Sequence, residues 1–218
     1  MNKLPHICIQ CTVILTKDNW HTSLSKKGHR LCKRCKYIRR AKEYQQRKEI
    51  ELVVQKHRKL LEKQTVINFY GNICANCGFT DITKLTIDHI DNTGSKHRKT
   101  GIGDIYGWLY RNNFPIDNFQ LLCYNCNCTK NVTYKDKYNL KNKIQVINNY
   151  GGSCKECGII DIKYLTIDHS NNDGAEQRRN LSCGKGSLFY RWLIKHNFPK
   201  NLGLQVLCYN CNCGKIMM

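Results

Sequence analysis

Two stretches of this chain carry residues that could do chemistry: "LTIDHIDNTG" from Leu85 and "LTIDHSNNDG" from Leu165. Each places a carboxylate next to an imidazole, Asp88 with His89 and Asp168 with His169. A carboxylate is a hard oxygen ligand for a small divalent cation. A neutral imidazole, with a pKa of about 6.5, can take a proton from water at pH 7. Together they suit the metal-assisted hydrolysis of a phosphodiester. Taken singly, an Asp after a strand more often serves a turn. Recurrence at matching places raises the chemical reading above the turn.

Both pairs lie between Cys-x-x-Cys knuckles. Twelve of the 15 cysteines form six such pairs: Cys8/Cys11, Cys32/Cys35, Cys74/Cys77, Cys123/Cys126, Cys154/Cys157 and Cys208/Cys211. A two-residue gap lets two thiolates grip one ion, so the six pairs predict three tetrahedral four-cysteine zinc sites. A disulfide framework suits a short secreted scaffold with an even cysteine count, and this chain fits neither condition. Cys128, Cys183 and Cys213 are left over and are read as free thiols.

The elements that must hold these groups repeat. "VINFYGNICANCGFTDITKLTIDHIDNTG" from Val66 aligns without gaps to "VINNYGGSCKECGIIDIKYLTIDHSNNDG" from Val146. "WLYRNNFP" from Trp108 then matches "WLIKHNFP" from Trp192, and "LLCYNCNCTK" matches "VLCYNCNCGK". The chain is therefore a duplicated module, residues 65–131 and 145–218, joined by a polar link at 132–144. The second copy has four extra residues before its Trp, as a surface loop tolerates. "LTI" and "FQLL" read as strands, and the second knuckle of each copy should open a helix. The Trp segments read as core packing rather than as wedges into DNA. Residues 1–35 form a third small unit, a zinc ribbon, with Trp20 and Leu24 as its apolar lid. The stretch 36–64 lacks Pro and Gly and predicts a basic helix with ten Lys and Arg against four Glu. Arg39, Arg40 and Lys56 on it are candidate phosphate contacts, although a solvated spacer helix explains the same charges. The fold class expected is small α+β modules stapled by zinc.

The pattern C-x-x-C, then D-H, then N-x-Q-L-L-C-x-x-C-N resembles the zinc-containing HNH, or ββα-metal, endonucleases, and especially the phage recombination endonuclease VII group. The resemblance covers both repeats, and a four-cysteine ribbon followed by a basic helix is similar to the front of many phage members. It implies two tandem ββα-metal modules. It implies His89 as general base, Asn118 as the residue orienting its loop, and Asp88 and Asn127 as ligands of a catalytic Mg²⁺ or Mn²⁺. In the second module it implies Asp168, His169 and Asn212, with Gly203 standing where Asn118 would be. Thiolates keep zinc while hard oxygens take Mg²⁺ or Mn²⁺, so the two kinds of metal would not compete.

Charge points the same way. Lys and Arg total 36 against 16 Asp and Glu, a formal +20. Three tetrathiolate zinc sites would lower that to about +14. Such an excess predicts a polyanion partner, DNA before RNA. Arg98 and Arg178, at matching places after the Gly of each D-H loop, are the candidate phosphate contacts within the modules. His97 aligns with Gln177, which argues against a shared catalytic role at that position. No run approaches the roughly 18 apolar residues of a membrane span. The start, "MNKLPHICIQC", lacks the apolar core of a secretory signal, so the expectation is a soluble protein in a reducing, intracellular compartment, the host cytoplasm if the chain is viral. Oligomeric state leaves no mark in the sequence. Two readings of function follow. One is a DNA endonuclease that nicks or resolves duplexes; the other is a non-catalytic zinc protein that binds nucleic acid on degenerate nuclease modules.

Overall fold

A computed structural model describes residues 6–20, 30–132 and 137–215 of the chain. Its contacts divide it into two compact units, Met1–Leu61 and Glu62–Met218. No helix among the described residues is long and apolar enough to cross a membrane.

In the first unit three of the four cysteines make up most of the core. Cys8, Cys32 and Cys35 are buried with Leu15 and Leu31, and Trp20 packs against them. Isolated bridges join Ile7 to Ile14 and Trp20 to Cys32. Leu24, the other expected lid residue, lies outside the described residues. So small a core cannot stabilise a fold by apolar burial alone.

Helix α1 runs from Lys33 to Phe69, longer at both ends than the predicted 36–64. It begins inside the last knuckle, where the Lys36 amide donates to the Cys32 carbonyl at 3.0 Å. It continues to Phe69 because Val66 and Ile67 are buried in the core of the first repeat. Residues 37–60 are exposed throughout, Arg39, Arg40 and Lys56 among them.

The second unit holds both repeats, each built on two antiparallel strands followed by a short helix. In the first, β1 (Leu85–His89) pairs with β2 (Phe119–Cys123), setting Asp88 opposite Gln120 and His89 opposite Phe119. Between the strands lie α2 (Gly94–Lys99) and α3 (Ile105–Arg111), and α4 (Tyr124–Thr129) follows β2. Tyr106 of α3 is 3.1 Å from the Thr86 hydroxyl and accepts from the Ile87 amide at 3.4 Å, which ties α3 to β1. The second repeat reproduces this with β3 (Leu165–His169), α6 (Gly174–Asn180), α7 (Ser187–Lys195), β4 (Leu204–Cys208) and α8 (Tyr209–Gly214). Asp168 again faces a glutamine, Gln205, and Tyr190 stands in for Tyr106. Trp108 and Trp192 pack against the cores, as a packing role requires.

The stretch expected to be a polar link is mostly helical: α5 spans Lys137–Asn149, with Asn142, Val146 and Ile147 buried. The reason is the repeat itself, since Val146 and Ile147 occupy the positions that Val66 and Ile67 hold at the end of α1.

The two repeats meet through α4 and α8. The Asn125 amide donates to Asn210 Oδ1 at 2.8 Å, and the Asn210 amide donates to Asn125 Oδ1 at 2.9 Å. Both asparagines are buried. This reciprocity is the signature of an isologous contact, here made within one chain. The Cys128 thiol and its counterpart Cys213 also hydrogen-bond to each other, which draws Cys213 down to about 7. The two thiols are thus free of disulfide but not isolated.

Candidate functional site

Three four-cysteine groups can hold a metal ion, and they join the six knuckles in the pairs the spacing predicts: Cys8, Cys11, Cys32, Cys35; Cys74, Cys77, Cys123, Cys126; and Cys154, Cys157, Cys208, Cys211. Facing sulfurs lie 3.6 Å apart (Cys11–Cys32), 3.8 Å (Cys77–Cys123) and 3.7 Å (Cys157–Cys208). A disulfide would need about 2.05 Å. The edge of a zinc tetrathiolate with ~2.3 Å bonds is about 3.8 Å. The geometry fits zinc. Amides already face the sulfurs: Cys126 N–H to Cys123 Sγ at 3.5 Å, Cys211 N–H to Cys208 Sγ at 3.4 Å, and the Asn76 amide to Cys126 Sγ at 3.2 Å. Burial alone would raise the thiols of Cys8, Cys74 and Cys154. Backbone N–H donors outweigh it, bringing Cys8 to about 6 and the other two to about 7. In each group these donors favour the thiolate form of one sulfur, the form that binds zinc.

Each staple fixes the ends of a strand pair and the start of a helix, and the Asp-His pair sits at the other end of the strands. In the first repeat Asp88 and His89 are half-buried at the close of β1. His89 lines a cavity of about 480 Å³ together with Lys96, His97, Trp108, Asn118 and Phe119. Its Nε2 lies 2.8 Å from His97 Nδ1, and its ring meets Phe119 edge-on at 4.7 Å. Burial, and then the neighbouring His97, hold the His89 imidazole below its usual value.

Position 97 lies beside the D-H histidine, a placement that its alignment with Gln177 does not reveal. Gln177, its counterpart, lies near the second imidazole, His169, but its amide nitrogen donates to the Leu202 carbonyl at 3.1 Å and its Oε1 has no hydrogen-bond partner among the described residues. The position lies near the D-H histidine in both repeats because it is on the short helix that follows the turn, and in the first repeat His97 hydrogen-bonds it. Gly94 and Gly174 are two further residues that residue chemistry did not single out. A Cβ at Gly94 would lie 3.1 Å from His89 Nδ1, and at Gly174 only 2.5 Å from His169 Nδ1. Each glycine is the floor under an imidazole; its recurrence in "DNTG" and "NNDG" was the available signal.

Asp88 is held by two donors. Gln120 donates to Oδ2 at 2.9 Å and the Lys130 ammonium at 2.7 Å. The same ammonium donates to the main-chain carbonyls of His89 (2.7 Å) and Ile90 (3.1 Å). In the second repeat Lys215 bonds both oxygens of Asp168, at 2.6 and 2.7 Å, and Gln205 donates at 2.8 Å. A carboxylate beside two carbonyls is a set of hard oxygens, and a cation sits among them. The donor set fits a Mg²⁺-type ion. Neither lysine was anticipated, although both close the matched "CNCTK" and "CNCGK" segments.

Asn127 and Asn212 lie in α4 and α8, three residues before these lysines, and are half-buried. Among the described residues no side-chain hydrogen bond joins either of them to its aspartate. Asn118 acts through its backbone, its carbonyl accepting from the Ile90 amide at 3.0 Å. The Gly203 carbonyl accepts from the Ser170 amide at 2.9 Å in the same way, so the missing side chain costs the second loop nothing at this bond. Gly203 has φ of 61°, and a Cβ there would lie 3.2 Å from Ser170 Oγ.

The two repeats differ most at the imidazole. His169 is buried, stacked on Phe189 at 5.5 Å, and its Nε2 lacks a partner within hydrogen-bonding geometry. Phe189 stands where the first repeat has Ile105. Arg98 is exposed and Arg178 half-buried, and both bias their imidazoles toward the neutral form.

No family model matches the chain, and neither the curated proteins nor the solved structures include a match.

Proposed function

We propose that the protein is a divalent-metal-dependent DNA endonuclease with its principal active site in the first repeat. The observation that carries this reading is the open cavity at the end of β1, where His89 stands beside Asp88 in a strongly basic chain. His89 Nε2 is engaged by His97, which leaves Nδ1 as the nitrogen able to take a proton from water. Asp88 with Asn127 would hold Mg²⁺ or Mn²⁺, which when bound supplies charge stabilisation to the phosphate and the leaving oxygen. Asn118 fixes the loop that follows His89 through its carbonyl. Lys96 and Arg98, exposed near the cavity, would take the phosphates flanking the scissile bond. The similarity of the C-x-x-C, D-H, C-x-x-C-N pattern to the HNH endonucleases supports the same assignment.

A second reading has an observation in its favour for half the molecule. His169 is buried under Phe189. The second repeat then serves as a zinc-stapled scaffold that packs against the first and widens the basic surface, without cutting. The test is cleavage of supercoiled plasmid with Mg²⁺ by wild type, His89→Ala and His169→Ala. Wild type cuts and His89→Ala does not; full activity in the double variant would eliminate the mechanism.

A further inference from the structure

We propose that Lys130 and Lys215 are tethered cations that occupy the acidic seat of each repeat and must leave it when a divalent ion binds. The proposal rests on the metal reading above and concerns only what the chain's own lysines do there. Its basis is geometric. The Lys130 ammonium lies within 2.7 Å of Asp88 Oδ2 and of the His89 carbonyl, and 3.1 Å from that of Ile90. The Lys215 ammonium chelates both oxygens of Asp168. A Mg²⁺-type ion binds carboxylate oxygen at about 2.0–2.1 Å. Gln120 and the ammonium both use Asp88 Oδ2, so while Lys130 stays an ion could reach this carboxylate only through Oδ1. Two positive charges sharing one carboxylate would also repel each other at a few ångströms.

The lysine can leave because its head reaches water. The side chain of Lys130 is 21% exposed and that of Lys215 29%, and each hangs on a flexible four-carbon stem from the residue that follows its helix. The residue before it differs between repeats, Thr129 in one and Gly214 in the other, while the lysine stays. The second seat is the tighter, since both oxygens of Asp168 are taken and its side chain is only 8% exposed. Metal should therefore enter the first repeat before the second. The ammonium neutralises a carboxylate whose other donor is a neutral glutamine, and so sets how much free metal is needed to load the site.

The experiment measures Mn²⁺ binding to the zinc-loaded full-length protein, without DNA, by loss of the free-ion electron paramagnetic resonance signal. Wild type is compared with Lys130→Met, Lys215→Met, Lys96→Met as a control of equal charge change, and the Asp88→Asn/Asp168→Asn double variant. Removing either seat lysine should tighten Mn²⁺ binding at that seat by about tenfold, the scale of one charge-assisted hydrogen bond. Lys96→Met should change it less than twofold, and the double aspartate variant should abolish it. Binding that appears only in the lysine variants also supports the proposal. Equal binding in wild type, Lys130→Met and Lys96→Met overturns the proposal and leaves the metal reading standing. No binding in any protein overturns both. Lys130→Gln and Lys215→Gln, checked for zinc content, repeat the measurement should the methionine variants lose their fold.

Discussion

His89 Nε2 and His97 Nδ1 face each other at 2.8 Å, across eight residues of chain. One of the two nitrogens must carry the hydrogen. If His89 is to accept a proton at Nδ1, its Nε2 is the donor and His97 Nδ1 the acceptor, which fixes both tautomers. His97 is itself held by Trp108, whose ring stands perpendicular to it at 4.5 Å. His97 is thus a positioning residue. His97→Ala should lower kcat by about 10- to 100-fold with KM little changed, as expected when only the base loses its orientation. His97→Gln, whose side-chain oxygen can still accept from His89 Nε2, should recover part of that loss. Equal loss in kcat and in DNA affinity would point to a structural role instead.

The asymmetry between the imidazoles predicts asymmetric activity. His89 opens to a cavity, whereas His169 lies under Phe189. Plasmid cleavage by wild type should therefore yield open circles before linear product. His169→Ala should retain most of the nicking rate and His89→Ala should lose it by at least about 100-fold, the scale of general-base removal. Phe189→Ile, which restores the residue type at position 105, should increase the rate seen in the His89→Ala background.

Much of this arrangement could be read before any coordinates. The knuckle spacing located all three metal groups because two thiolates and one ion leave little conformational choice. "LTI" and "FQLL" read as strands because they are short, apolar and rich in strand-forming residues, and the strands extend to His89 and Cys123. Other features depended on where side chains point across space. Asn125 reads as an ordinary helix-start residue, and only the packed repeats show its oxygen serving the other helix. Lys130 looks like one more surface charge in a basic chain, since its partner lies 42 positions away. Phe189 differs from Ile105 by type alone, and its contact with His169 depends on how the four extra residues re-route the loop. That the polar link is helical was not legible, because the polar residues of "YNLKNK" mask a helix whose buried positions begin at Asn142.

Packing of the repeats offers a stability test. Asn125 and Asn210 each cap the other's helix start, and both are nearly inaccessible to water. Replacing one with Ala leaves a buried amide unpaired, at a cost of about 1–3 kcal/mol. The double replacement should cost less than the sum of the two singles, because the bonds share one interface. Urea unfolding midpoints of the four proteins measure the coupling; strict additivity would mean that the two bonds act independently.

Zinc content provides a second test. Three ions per chain are expected by elemental analysis, one for each four-cysteine group. Structural zinc contributes about 10–16 kcal/mol in small peptides. That equals or exceeds the whole stability of a typical domain, about 5–15 kcal/mol. Chelation should therefore unfold the repeats rather than soften them. Cys123→Ser should leave two ions and abolish activity, since it releases β2 and α4 together.

The imidazoles make stability depend on pH in a definite direction. His89 is held below its usual value by burial first and by His97 second, and His169 by burial first and by Arg178 second. In the unfolded chain both return to about 6.5. Between the folded and unfolded values the unfolded state binds more protons, so stability rises with pH across that window. It should be unaffected by these groups well above pH 6.5 and fall progressively as the pH drops below it. Thiolate protonation and zinc loss add to the acid side, so the comparison needs a variant. The difference in urea midpoint between pH 8 and pH 5.5 should be smaller in His169→Gln than in wild type, by the share that burying His169 neutral contributes. The same depression acts on catalysis with the opposite benefit: His89 stays unprotonated, and so able to act as a base, to lower pH than a free histidine. The acidic limb of the kcat profile should then turn below pH 6.5. A limb at or above that value would mean that some other group limits the reaction.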